Sequence, residues 1–378
     1  IVTLSLSVVA PPTFKFFPEF IDTSVVVFTK YRYTVTGKFK WTGITNFVNA
    51  QEIPFLEVTG FSTANILICK YNRFPYGRFN TTSTNLKLYA PLFQSVPDLE
   101  RRDLIFVAGS TDEAAHWVGC AGNYSGTFVV PWMDILPTGH LVHMRFHEFY
   151  RVEADKIVEV QAVWDIPEVM MQASCWPMVP SLGRELHVPG PAVQVDAAKA
   201  VVDPILTKNS LNLVLEMGRF MKMYPSEGGV EVMELERFWH PCMNWYGPSG
   251  IGSGRGIAGF RNWHQIPFIK AMPDRGQKQN GVYAHFFAEN EIVAVTGWPN
   301  MAQTLSADGW LGIAPSGQEV TLRSLDFWRV ENNLIRENWV LIDLLDVFNQ
   351  VGIDVLARMR ELNKSRPGSA IKFPVGEP

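Results

Sequence analysis

Residues 310–350 read WLGIAPSGQEVTLRSLDFWRVENNLIRENWVLIDLLDVFNQ, and residues 132–172 read WMDILPTGHLVHMRFHEFYRVEADKIVEVQAVWDIPEVMMQ. Set side by side without a gap, the two are identical at 15 of 41 positions, against roughly two or three expected from average residue usage. The identities include Trp132/Trp310, Arg145/Arg323, Arg151/Arg329, Glu159/Glu337, Asp165/Asp343 and Gln172/Gln350. Ala90–Asp98 (APLFQSVPD) echoes Ile266–Asp274 (IPFIKAMPD), so the likeness continues upstream. Self-similarity at so long an offset marks two copies of a whole domain rather than a solenoid.

Within each copy the pattern is that of an antiparallel meander. His140–Val152 and Ile157–Asp165 read as strands across a tight turn, and a short helical end follows at Pro167–Ala173. The second copy opens on helices: Leu211–Tyr224 behind Ser210 as N-cap, a second near Val230–Trp239, and a third over Ile257–Ala271. Strands at Val282–Ala288 and Ile292–Trp298 come next. Helices first and an antiparallel meander after is the α+β pattern, helices gathered on one face of a curved sheet with a pocket between. The expected organisation is an unassigned segment 1–60, a first domain 61–175 with a divergent start, a Pro-rich linker 176–207, a second domain 208–364 and a flexible tail 365–378.

Composition sets limits. At 378 residues, 47% hydrophobic and 19% charged, the chain is ordinary globular material for two or three domains. A net charge of −4 gives no electrostatic reason to expect nucleic acid, and no apolar run approaches a membrane span. The four scattered cysteines, without a CxxC pair, point to reduced thiols in a cytoplasmic protein. IVTLSLSVVA lacks the basic start of a signal peptide.

Two motifs invite chemistry and are set aside. Gly254–Gly259 satisfies GxGxxG, but no parallel βαβ unit surrounds it and the first copy has no counterpart, so a flexible loop at a pocket mouth is expected rather than a nucleotide site. On a strand His143, Arg145, His147 and Phe149 share one face. An Arg between two would-be ligands argues against a metal, so none is expected and His147 is read as part of a polar pocket wall.

The carboxylates carry more. Asp165 and Asp343 each end an apolar strand. A carboxylate desolvated there would have a raised pKa and could move protons near neutral pH; alternatively each caps the helix that follows. Glu159 and Glu337 share that face, either as pocket acids or, the favoured reading, as structural partners of Arg145 and Arg323. In the second copy His285, Trp298, Trp339, Tyr246, Trp245 and His264 are expected to shape a pocket, although His264 shares a helical face with Phe260 and Phe268, a spacing common in cores. His147 and Tyr124 are the counterparts in the first copy.

The two quoted stretches resemble the closing strands of SnoaL-like proteins, polyketide-cyclase-like members of the nuclear-transport-factor-2-like superfamily. The shared pattern is a Pro-Thr-Gly-type turn, an apolar strand ending in Arg-Val, a tight turn, an Ile-x-Glu strand, then Asp and a short helix with Gln. The resemblance covers residues 86–175 and 208–362. It implies tandem cone-shaped α+β barrels, packed sheet to sheet as an intrachain pseudo-dimer, with further homo-oligomers open. It also implies a cofactor-independent intramolecular aldol cyclisation of a hydrophobic carbonyl compound. Asp343 and Asp165 are the positions matching the acid/base of that pattern. A non-catalytic binding module, or a hydratase, dehydratase or epoxide hydrolase on the same fold, are the alternatives.

Overall fold

The computed structural model describes residues 68–71, 78–79, 88–154, 156–192, 201–278 and 280–365. The unassigned segment 1–60 and the tail beyond residue 365 lie outside them. In the first copy the elements are β1 (Ile68–Tyr71), β2 (Arg78–Phe79), α1 (Ala90–Ser95), β3 (Glu100–Ser110), β4 (His116–Thr127), β5 (Leu141–Glu153), β6 (Lys156–Trp164) and α2 (Ile166–Gln172). In the second they are α3 (Pro204–Met221), α4 (Leu235–Phe238), β7 (Trp239–Tyr246), β8 (Gly254–Arg255), α5 (Gly256–Phe260), α6 (Ile266–Ala271), β9 (His285–Glu289), β10 (Ile292–Thr296), β11 (Met301–Thr304), β12 (Glu319–Leu322), β13 (Ser324–Glu331), β14 (Leu334–Ile342), α7 (Leu344–Gln350) and α8 (Val355–Lys364).

The two six-stranded sheets have the same topology, β2-β1-β6-β5-β4-β3 and β8-β7-β14-β13-β10-β9. Each is antiparallel except at one parallel pair, β1 with β6 and β7 with β14. The repeat extends to irregularities. A register shift falls between Arg151 and Val152 and again between Arg329 and Val330. Each bulge sits beside a cross-strand ion pair, Arg151 Nε to Glu159 at 3.1 Å and Arg329 Nε to Glu337 at 2.5 Å. Glu159 and Glu337 are therefore structural, but their partners are not Arg145 and Arg323, because register sets Arg151 and Arg329 opposite them. Asn332 and Asn333 both take positive φ in the β13–β14 turn, the conformation a two-residue hairpin demands and asparagine tolerates.

Local chemistry moved some boundaries. Helix α3 begins at Pro204, not after Ser210: Asp203 Oδ1 accepts from Ile205 N and Leu206 N at 2.8 and 3.1 Å, and proline is favoured in the first turn. Ser210 is a buried residue inside that helix. The expected helix at Val230–Trp239 is broken at Glu234, whose φ is 42°, so Trp239 starts strand β7. The helix over 257–271 is interrupted by a π turn, Arg261–Gln265. The Pro-rich connection is ordered as a strap up to residue 192: Gly183 N donates to Ile251 O at 2.8 Å and Trp339 Nε1 to Pro189 O at 2.9 Å.

One face of each sheet packs on its own helices. The opposite faces meet each other through a second cluster that includes Trp117, Phe149, Val163, Phe287, Leu325, Phe327, Trp339 and Leu341. Phe149 and Phe327 stack at 5.0 Å. Gly119 makes the approach possible, since a Cβ there would stand 3.0–3.3 Å from Phe327, Phe149 and Phe287. Polar contacts seal the contact: Thr296 Oγ1 donates to Gln161 at 2.6 Å and Ala108 N to Glu289 at 3.1 Å.

Candidate active site

Strand alternation now assigns every candidate to a side. On β13, Leu325 and Phe327 face the other sheet, whereas Ser324, Asp326 and Trp328 line a cavity of about 420 Å³ under the helices of the second domain. On β14, Trp339 and Leu341 face the other sheet and Asn338, Val340 and Ile342 line the cavity. The roof comes from α3 (Val214, Met217, Gly218), α5 (Phe260), the π turn (His264) and α6 (Phe268).

Asp326 is the one carboxylate among the described residues that line this cavity. Burial pushes its carboxyl up to about 7, against the opposing pull of the Ser324 hydroxyl and the Arg275 guanidinium. Ser324 Oγ donates to Oδ1 of Asp326 at 2.5 Å. Ser324 is itself held by Asn300, which accepts from its N–H at 2.9 Å and donates to its carbonyl at 2.6 Å. The walls are aromatic. Trp245 stacks on His264 at 4.0 Å, Trp239 on Phe260 at 5.5 Å, and Phe286 on Trp328 at 6.2 Å. Burial, with Arg275 nearby, lowers His264 to about 3, so it is a neutral imidazole at working pH. Three buried nitrogens of the lining have no hydrogen-bond partner among the described residues: His264 Nδ1, Trp239 Nε1 and Trp328 Nε1. A buried polar atom left so carries a free-energy cost that a bound polar ligand can relieve.

Of the residues expected to shape a pocket, Trp245 and His264 do line the cavity. His285, Trp298, Trp339 and Tyr246 do not. His285 stacks on Trp117 of the other sheet at 5.7 Å, Trp339 and Tyr246 belong to the intersheet cluster, and Trp298 packs against it beneath the Arg323 guanidinium. Asp343 and Asp165 are also on the far side. Neither side chain caps its helix. Asp165 pairs with Arg145 at 3.1 Å and accepts from Ser249 N at 2.9 Å, while Arg145 reaches the carbonyls of Tyr246 and Gly247 in the second domain. Asp343 is buried on the equivalent face, its N–H bonded to Arg323 O at 3.0 Å. The face of the closing strand that carries the identical acids is the packing face, so neither acid is available to a ligand in the cavity. His147 is likewise not a pocket wall: it is fully buried, Nδ1 lies 2.5 Å from Leu325 O, and burial holds it well below its ordinary pKa.

The acid that sequence reading missed has a signal in the repeat. Asp326 aligns with Glu148, a carboxylate at equivalent places in both copies. In the first domain Glu148 is locked. It pairs with Arg101 at 2.5 Å and accepts from Tyr124 at 2.9 Å, Trp164 at 2.8 Å and Tyr150. Tyr124 is thus a ligand of that cluster, not of a pocket. The positions of Phe146 and Trp164 are taken in the second copy by Ser324 and Ile342, and the smaller side chains leave space where the first domain has a filled core.

The GxGxxG residues 254–259 are strand β8 and the start of helix α5, Gly254 lying against Gly259 so tightly that a Cβ would come within 2.9 Å of its carbonyl carbon. The strand that follows a dinucleotide fingerprint is missing here, because α5 runs on into α6 and an antiparallel hairpin. His143 approaches Glu168 at 3.3 Å and lies against His187, ring centres 4.3 Å apart and tilted by 36°. Among the described residues no group of three or more His, Cys, Asp or Glu is arranged to hold a metal ion.

The family model for SnoaL-like polyketide cyclases matches residues 70–173 and again 229–351, more than half of the chain. The chain belongs to the SnoaL-like polyketide cyclase family. It is a tandem SnoaL-like protein with two nuclear-transport-factor-2-like α+β folds. Similar solved structures include a candidate SnoaL-like polyketide cyclase from Jannaschia sp. CCS1, 18% identical over 40% of this chain and 96% of its own, with a TM-score of 0.31. TsrD from Streptomyces laurentii is 18% identical over 37% and 96%, TM-score 0.28. A SnoaL-like polyketide cyclase from Agrobacterium tumefaciens C58 is 26% identical over 29% and 80%, TM-score 0.23. No curated protein matches the SnoaL-like chain. Among its described residues no helix is long and apolar enough to cross a membrane.

Proposed function

We propose that the second domain is a cofactor-independent acid–base enzyme that closes a ring in a hydrophobic carbonyl compound, and that Asp326 moves the proton. The observation that supports this is a single carboxylate, raised to about 7, inside an apolar aromatic cavity. A base whose pKa lies near the operating pH is efficient at proton transfer. In the reaction, the Asp326 carboxylate takes a proton from a carbon flanked by carbonyls. The enolate delocalises its charge onto oxygen, and the unpartnered indole N–H groups of Trp239 and Trp328 in the lining are the donors this reading assigns to it. The enolate carbon then attacks a second carbonyl of the same molecule, and the Asp326 carboxyl returns its proton to the alkoxide. Atoms and charge balance, and no external oxidant or reductant enters.

Asp165 and Asp343 have no part in this chemistry; they belong to the contact between sheets. The first domain, its acid held by Arg101, serves as a structural partner. The test compares wild type, Asp326→Asn and Asp343→Asn on poly-β-keto esters. Loss of ring closure in the first variant with retention in the second is the expected result. The reverse order would sink the assignment, and binding without turnover by all three would favour a binding module.

A further inference from the structure

The mouth of the cavity is marked by the lining residues that are exposed, Arg219, Lys222 and Ala284. Arg219 stands in the last turn of α3 and Lys222 at its C-cap, so the opening lies between the end of that helix and Gly276, Lys278, Val282 and Ala284. Gly218 borders it on the wall. Glycine inside a helix lowers stability relative to alanine, and a Cβ at Gly218 would meet nothing within 4 Å. Packing therefore does not call for glycine here, whereas an unobstructed entrance does.

The charge around this entrance is one-sided. Arg219, Lys222, Arg275 and Lys278 line the cavity against the single carboxylate of Asp326. Lys278 is neutralised by Glu319 at 2.6 Å and Asp274 at 3.4 Å. Arg275 Nη1 donates to Met221 O at 3.4 Å, at the end of α3. Among the described residues no carboxylate pairs with Arg219 or Lys222, and the nearby Glu216 is bound to Arg237. A helix C-terminus attracts cations by its dipole, which accounts for basic residues at the end of α3. It does not account for the missing side chain beside them; Arg275, which is buried, faces Asp326 instead.

We infer that the substrate is an acid: an apolar carbonyl compound whose ionised carboxylate stays at the mouth with Arg219 and Lys222 while its carbon skeleton passes Gly218 into the cavity. An anion deeper inside would face the Asp326 carboxylate, and the aromatic lining would leave it unsolvated. The inference deepens the acid–base reading of the same cavity, but as a statement about what binds it can be tested without turnover.

The experiment measures binding of 2-naphthoate, its methyl ester and 2-naphthyl phosphate to the full chain by quenching of tryptophan fluorescence, since Trp239, Trp245 and Trp328 line the cavity. Naphthoate should bind about ten-fold more tightly than the ester at low salt and only about two-fold at 0.3 M salt, as expected for exposed charges. Arg219→Gln with Lys222→Gln should abolish the preference and leave the ester's affinity unchanged. Gly218→Leu should weaken acid and ester alike, while Gly218→Ala should raise Tm. Equal affinity for acid and ester, or a preference that survives the double variant, overturns the inference. Tighter binding of the phosphate than of naphthoate overturns the carboxylate assignment. If the preference holds but no poly-β-keto acid or ester is converted, the catalytic reading fails and this one stands.

Discussion

Replacing Asp326 by asparagine should make the protein more stable and less active at once, and the pH at which it does so follows from the structure. Burial holds the carboxyl at about 7 instead of 3.8, a difference that corresponds to about 4 kcal/mol for the ionised form. Asp326 partly meets the solvent of the cavity, and screening reduces that to about 1–3 kcal/mol. The sign follows from proton binding. A folded-state pKa above the unfolded one means the native state holds its proton more tightly, so the contribution is complete below about pH 4 and is lost as pH rises through about 7. Asparagine cannot ionise and still accepts from Ser324. The variant should therefore match wild type at pH 4 and exceed it by about 1–3 kcal/mol at pH 8, while ring closure falls at least about 100-fold. Urea denaturation across that pH range, followed by tryptophan fluorescence, measures the first effect, and turnover of a poly-β-keto ester the second. A variant no more stable than wild type at pH 8 would refute the reasoning from burial. Undiminished turnover would refute the role in proton transfer.

Asp165→Asn should leave turnover within about two-fold of wild type but cost about 3 kcal/mol in denaturation, because the buried Arg145 loses its carboxylate. Gly119→Val should separate the sheets and lower stability by about 1–3 kcal/mol through overpacking against Phe149, Phe287 and Phe327, read as a drop in Tm. Trp328→Phe keeps the wall and removes an unpartnered donor. It should reduce kcat about ten-fold without lowering Tm, and an unchanged kcat would exclude the indole from enolate stabilisation.

The repeat, the meander and the turn chemistry were legible because they are local. Alternation in 141–153 and 334–342, the tight turn after Val152 and the duplicated Asp-x-x-x-x-x-x-Gln ending follow from strand period and backbone preference. Helix starts were less so. Asp203 and Ser210 are both reasonable caps, and only the contacts of the first turn separate them. Trp245 and His264 come to the cavity from different elements, strand β7 and the π turn, and only their packing against each other brings them together. Asp165 and Asp343 were read either as acid/base groups, because each ends an apolar strand, or as helix caps, and strand period alone does not say that their face is the one that packs.

Taken alone, the sequence determined that two copies of one α+β domain follow each other and which residues share a strand face. Which of those faces meets a cavity was decided only by tertiary structure. The two sheets bury their opposite faces against each other through Phe149, Phe287 and Phe327, so Asp343 is enclosed and Asp326, one residue parity away on the neighbouring strand, is turned toward the helices. The physical reason is that alternation defines two faces but assigns neither to solvent, ligand or partner. That choice follows from which pair of surfaces excludes more water when the domains close.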